Sequence, residues 1–241
     1  MSRRQRLGPV TAGELLESLK KDSTYRRMQA QVREVMRRKE RTGRAEEAPL
    51  VGELRRAGVR VRTIWDLVNT TSPYPSAIPV LISHLARPYS IDTKEGIIRA
   101  LTVKEARGIA AKPLMASFRA APSKTEREKS VKWAIGNALS VVADDSVFKE
   151  ISALVRDKSH GIARSMLALA FCNMQKHRNQ AIQLLLDLLD DKDVRVQAMI
   201  ALGNLRVKSA QIKIEAFLCD QDSWVRQQAK RALAKIDKAR S

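Results

Sequence analysis

Aromatic residues are scarce in this chain, at 4% of 241 residues. Hydrophobic residues make up 44% of it, so a core has to be built from Leu, Ile, Val and Ala. Cysteine is scarcer still, with only Cys172 and Cys219. Both lie inside apolar helical patterns, without His at ligand spacing. They read as small core side chains in a reducing compartment, and neither a zinc site nor a disulfide framework is built from them. No apolar run is long enough for a membrane-spanning helix. β-branched alternation is sparse, and no Asn-Gly or Asp-Gly joins two candidate strands. Gly-x-x-x-x-Gly-Lys, Gly-x-Ser-x-Gly and His-Glu-x-x-His are all missing. His84, His160 and His177 stand alone, as a helix-end group and loop residues. The paired aspartates at 144–145 and 190–191 fall at helix turns, where capping accounts for them. No catalytic residue, metal ligand or cofactor is assigned, and the expectation is a protein that is not an enzyme. The opening "MSRRQRLG" has no apolar stretch behind it, so a secretory signal is not expected and the chain reads as cytoplasmic.

What the chain does have is positive charge. Its 45 Lys and Arg outnumber 26 Asp and Glu, a net charge of +19. Such a field attracts polyanions. The excess is uneven: residues 144–205 carry eight of each sign, whereas 94–132 carry ten cations against four Glu.

It also has repetition. "DKDVRVQAMIALGNL" (191–205) and "DSWVRQQAKRALAKI" (222–236) share Asp-x-x-Val-Arg-x-x-Ala-x-x-Ala-Leu, 31 residues apart. Val194, Ala198, Ala201, Leu202 and Leu205 make one helical stripe, with Asp191 and Asp222 at the N-cap positions. Each stripe follows another apolar helix, so the unit is a helix pair. Degenerate copies occur at 160–174, 130–142 and 94–103, the last separated by a longer offset of 38 residues. An inserted helix or loop is expected around 104–125, broken by Pro113 and Pro122. In the last copy, Val196, Met199 and Ile200 give way to Gln227, Lys230 and Arg231. Polar residues there suit a terminal cap whose outer face meets water.

Five pairs at such a period are a solenoid signature. These runs resemble the HEAT-repeat family, specifically the short bacterial type related to phycobilisome-lyase repeats, over about 75–238. The resemblance implies an all-α solenoid of about five helix pairs and a binding role of unspecified partner. The second helices are expected to line the concave face. The stripes need consecutive pairs to lie side by side, because one pair cannot bury its own.

The first third differs. Residues 1–10 are expected to be a disordered basic segment, and 11–74 a divergent helical cap preceding the 75–238 array. Thr11 and Glu14 form a capping-box pattern. Residues 42–49 are expected to be a loop. Tyr25, Met28, Val32, Val35 and Met36 stripe the preceding helix.

Two basic segments are candidates for polyanion contact. One is 26–44, with Arg26, Arg27, Arg33, Arg37, Arg38, Lys39, Arg41 and Arg44. The other lies within 99–132 and centres on Lys124, Arg127, Lys129 and Lys132, followed by Trp133 as a stacking candidate. Solvated helix faces would look similar. Arg164, Arg195 and Arg226, with Lys132 equivalent, recur beside the cap aspartates Asp191 and Asp222. They read as a structural ladder linking neighbouring loops by charge-assisted hydrogen bonds. The expected function is a non-catalytic scaffold gripping an acidic protein partner, with nucleic-acid binding as the alternative. A HEAT-like alkylpurine DNA glycosylase is a remote third, since no Asp falls beside Trp133. Membrane binding is not expected, as the Met- and Tyr-based stripe lacks Trp and Phe. A monomer is expected.

Overall fold

The computed structural model describes residues 11–238, and every regular element among them is helical. The expectation for residues 1–10 lies outside the described residues. No helix among the described residues is long and apolar enough to cross a membrane. The chain divides into two compact units between Ala48 and Pro49.

The first unit opens with α1 (Ala12–Lys21). Its capping box is formed: Glu14 N–H donates to Thr11 Oγ1 at 3.3 Å, and Thr11 N–H donates to Glu14 Oε2 at 3.0 Å. No residue of α1 is buried. Helix α2 (Ser23–Arg56) begins in this unit, with Asp22 Oδ1 accepting from Tyr25 N–H at 2.9 Å. The stripe of Met28, Val32, Val35 and Met36 is exposed. The expected loop at 42–49 is helical instead. Ala45, Glu46, Glu47 and Ala48 are strong helix formers, and Arg44 pairs with Glu40 at 2.7 Å across one turn. Pro49 sits inside α2, and Leu50, Val51 and Leu54 after it are buried.

The second unit continues through α3 (Trp65–Val68) into five helix pairs. Helix α4 (Ile78–Leu85) pairs with α5 (Ile91–Ala100), and α6 (Ala111–Ala120) with α7 (Glu126–Val142). Helix α8 (Phe148–Arg156) pairs with a 3₁₀ segment, Lys158–Asn173. Helix α9 (Arg178–Asp187) pairs with α10 (Arg195–Asn204), and α11 (Gln211–Glu215) with α12 (Ser223–Asp237). The second members stack in order: α5 on α7, α7 on the 3₁₀ segment, that segment on α10, and α10 on α12. This is an α-solenoid.

The repeated Ala-Leu step explains the stacking. Ala100, Ala138, Ala170 and Ala201 are fully buried, as are Leu101, Leu139 and Leu202 beside three of them. Burying each Leu side chain contributes roughly 1.5–3 kcal/mol. Small residues let the second helices close on one another. A methyl group at Gly203 would lie 2.8 Å from Ala232 Cα, and one at Gly136 would lie 2.7 Å from the Ala163 carbonyl oxygen. Gln227, Lys230 and Arg231 are exposed on the last pair, as a terminal cap requires.

Two elements of the array also differ from the sequence expectation. Residues 104–125 hold not a broken insertion but α6, the first helix of the second pair. Pro113 lies in its first turn, where its lost N–H needs no intrahelical partner, and Pro122 follows the C-cap Ala121. The expected helix at 160–174 is wound as 3₁₀, with Gly161 at φ 54° interrupting it.

Candidate binding surface

Two of the repeat cations, Arg164 and Arg195, bridge successive pairs. Arg164 is buried, with 1% of its surface exposed. Its Nη1 donates to the Val155 carbonyl at 2.9 Å, and its Nη2 donates to Asp191 Oδ1 at 2.9 Å. Arg195 Nη1 lies 3.6 Å from Asp220 Oδ2, and its guanidinium covers the Phe217 ring at 5.3 Å. Lys132 is also buried. Its Nζ donates to the Ala121 carbonyl at 3.1 Å and lies 5.4 Å from the Phe118 ring centre. Burial lowers the Lys132 pKa, and Asp157 opposes that shift. Arg226 has no following pair and donates to the Asp220 and Gln221 carbonyls at 2.7 and 2.9 Å. Asp222 Oδ1 caps α12 by accepting from Trp224 N–H at 2.8 Å.

Of the second basic candidate segment, only part faces outward with its charge unspent. Arg127 Nη2 reaches Asp92 at 2.6 Å and its Nη1 reaches Glu95 at 2.5 Å, tying α7 to α5. Its pKa is raised, first by the hydrogen bond to Asp92. Lys129 pairs with Glu126 at 2.6 Å, within its own helix. The Lys124 side chain makes no hydrogen bond or ion pair among the described residues, while its N–H caps into Glu128 at 2.8 Å. Trp133 is 37% exposed.

The first candidate segment lies on the exposed part of α2. Arg26 and Arg33 reach backbone carbonyls of Lys21 and Gln29 at 3.4 and 3.3 Å. Arg44 pairs with Glu40, and Lys39 also has a partner. The side chains of Arg27, Arg37, Arg38 and Arg41 make no hydrogen bond or ion pair among the described residues.

The sequence reading missed two features. His84, read there as a helix-end group, is fully buried. Its Nδ1 lies 2.6 Å from Tyr89 Oη, and its Nε2 lies 3.0 Å from Glu53 Oε2, off the axis of a good hydrogen bond. Glu53 also pairs with Arg87 at 3.0 Å. The His84 ring close beside it is the main cause that lowers the Glu53 pKa. The second feature is an apolar groove of about 550 Å³ between the first two helix pairs. It is lined by the C-terminal end of α4, by α5 as far as Ile98, by α6 from Pro113 on and by α7 as far as Ile135. Its size falls in the range of ligand-binding clefts. Neither feature has a motif. The groove is written only in small residues, Ala116, Ala120 and Ala121, whose alanine pattern resembles ordinary helix.

Asp144 and Asp145, the carboxylates after Trp133, are engaged in turns. Asp144 Oδ1 accepts from Ser146 N–H at 3.0 Å, and Asp145 Oδ1 from Lys176 N–H at 2.9 Å. No group of His, Cys, Asp and Glu among the described residues suits a metal ion.

Residues 181–241 match the family model of HEAT repeats. That stretch is therefore similar to HEAT repeats. The match covers the last two pairs, the same stretch in which the repeated motif is least degenerate. Among solved structures, the chain is similar to a designed armadillo repeat protein, at 15% identity and a TM-score of 0.41, over 72% of this chain and 91% of that one. It is similar also to an engineered protein, at 22% identity and a TM-score of 0.42, over 73% of this chain and 90% of that one. Comparison with curated proteins gives no match. The family match over 181–241 supports a repeat scaffold with a binding role as the functional class.

Proposed function

We propose that the chain is a non-catalytic HEAT-repeat scaffold that offers a basic surface to an acidic protein partner. One observation carries this reading: the acids of the chain are largely engaged internally, whereas many of its cations are not. Asp92, Glu95, Asp191 and Asp220 take Arg127, Arg99, Arg164 and Arg195. Glu128, Asp144, Asp157 and Asp222 accept from backbone N–H groups of turns and first helical turns. Arg27, Arg37, Arg38 and Arg41, and in the array Lys112, Arg119 and Lys124, have no such partner among the described residues. The uncompensated field is therefore cationic and outward.

The groove favours protein over nucleic acid as the partner. Phosphate contacts need no aliphatic cleft, whereas acidic protein segments carry apolar anchors beside their carboxylates. Trp133 favours the second reading, nucleic-acid binding, because an exposed ring can stack a base. Lys132, Arg127 and Lys129 beside it are already bound, which weakens that reading.

Fluorescence anisotropy with labelled poly-Glu, DNA and RNA at two salt concentrations tests both. Poly-Glu is expected to bind. Backbone-driven DNA or RNA binding would fall roughly 10³-fold or more between about 50 and 200 mM salt if six or more phosphates were contacted. Strong nucleic-acid binding of that kind without poly-Glu binding would overturn the scaffold reading in favour of the second.

A further inference from the structure

The five repeat cations sit six residues before the buried alanine of each Ala-[Leu/Phe] step. Lys132, Arg164, Arg195 and Arg226 precede Ala138, Ala170, Ala201 and Ala232 in this way. The same count back from Ala100 gives Lys94. In the four later pairs the cation has a partner: a carbonyl of its own pair for Lys132, Arg164 and Arg226, and the following pair's acid for Arg164 and Arg195. Lys94 has neither. Its ammonium makes no hydrogen bond or ion pair among the described residues, and it lines the apolar groove half-buried.

The reason lies in the next turn. Asp191, which Arg164 meets, stands four residues before Arg195, and the same count before Lys132 gives Glu128. Residues 119–125 hold Arg119 and Lys124 and no acid. Glu128 also lines the groove, but its carboxylate accepts from the N–H groups of Lys124 and Thr125 and makes no ion pair with Lys94. At the following junction the corresponding space is filled. Phe118 meets His160 with ring centres 5.0 Å apart, and Lys132 packs over Phe118. At the first junction the facing side chains are Ala116, Ala120 and Ala121, and the space is open.

We propose that this groove is a docking site for an acidic segment of a partner protein, whose apolar side chains fill it and whose carboxylate takes Lys94 as Asp191 takes Arg164. This rests on the scaffold reading and names the part of the surface that selects the partner. The groove wall is aliphatic, with Ile82, Leu85, Ile98 and Val131, so Leu, Ile or Phe anchors fit it. The surrounding 94–132 stretch carries ten cations against four Glu, which matches an acidic segment and disfavours docking of a second, equally basic copy. The chain's own residues 1–10 hold three Arg and no acid, so they lack the carboxylate the site requires.

Selection of random displayed peptides on the full chain tests the site. Enriched peptides are expected to place Asp or Glu beside Leu, Ile or Phe. Each is expected to lose at least about tenfold in affinity, about 1.4 kcal/mol, on Lys94→Gln and on Ala120→Phe. Ala120 is exposed, so Phe there fills the groove without entering the core, and thermal melting checks that the variant is folded. Ala116→Leu, also at an exposed site, serves if that variant melts early. Poly-Glu is expected to bind all variants within about twofold, the spread of ordinary context effects. Absence of enrichment, or peptides that bind the wild type and Ala120→Phe equally, would overturn the docking site while poly-Glu binding leaves the scaffold standing. Groove-dependent peptides without poly-Glu binding would keep the site and remove the general basic surface. A dimer in sedimentation that Ala120→Phe dissolves would assign the groove to a second copy and overturn the proposal.

Discussion

Arg164 and Asp191 are 27 positions apart in the chain, and their side chains meet at 2.8 Å across the junction of the third and fourth helix pairs. The guanidinium has 1% of its surface exposed and the carboxylate 16%. Removing one member of such a pair leaves the other partly desolvated without its partner. Arg164→Ala is therefore expected to destabilise the array by about 3 kcal/mol. Arg226→Ala, at the terminal pair where only backbone carbonyls are met, is expected to cost about 1 kcal/mol or less. Urea unfolding midpoints of the two variants compare them directly. Equal midpoints would show that the junction does not depend on the ion pair.

Close approach of the second helices makes a separate prediction. Gly203 faces Ala232 with no room for a methyl group, so Gly203→Ala is expected to destabilise by about 1–3 kcal/mol despite its better helix propensity. Gly52 provides the contrast, since a methyl group there would meet nothing within 4 Å. Gly52→Ala is expected to stabilise slightly, by about 0.5–1 kcal/mol. Differential scanning calorimetry reads opposite shifts in Tm.

The end of α10 carries a backbone cost. Arg206 adopts φ 53°, and Val207 N–H closes the turn onto the Leu202 carbonyl at 3.1 Å. Helix α2 ends in the same way with Gly58 at φ 84° and Val59 N–H on the Leu54 carbonyl at 2.9 Å. Arg206→Gly is expected to raise stability by about 1 kcal/mol, because glycine enters this conformation without Cβ crowding. An unchanged or lower unfolding midpoint would show that the Arg206 side chain contributes more than the turn strain removes.

His160 gives the array a dependence on pH. Burial holds its pKa below the ordinary value of 6.5, with Lys132, Arg119 and Arg164 acting in the same direction and Asp157 against them. As pH falls through 6.5, the unfolded chain takes up a proton that folded His160 still refuses. The unfolded state then binds more protons, so stability declines with falling pH until the folded group also titrates. The difference in unfolding free energy between wild type and His160→Phe is expected to shrink over that window. A pH-independent difference would remove His160 as the source.

The array was legible because its stripe is periodic: Ala201-Leu202 and Ala232-Leu233 repeat with their flanking Val and Arg. Its second pair was less so. Pro113 and Pro122 signal interruption in a window, yet they stand at the first turn and just beyond the cap, where they delimit α6. Residues 42–49 contain Gly43 and Pro49, which read as loop, but the intervening Ala and Glu residues carry α2 across them. The groove was hidden for a different reason. An empty space is defined by what facing alanines do not fill, and that depends on which turns meet. Its trace was nevertheless present as the 38-residue offset that sets Lys94 over Lys132.

The 3₁₀ segment at Lys158–Asn173 has a mechanical consequence. In 3₁₀ winding the hydrogen bonds are less well aligned than in an α-helix, and the rise is roughly 2.0 Å per residue instead of 1.5 Å. Rewinding it to α would shorten that rung along its own axis by several ångströms, shifting the register of its side chains against α7 and α10.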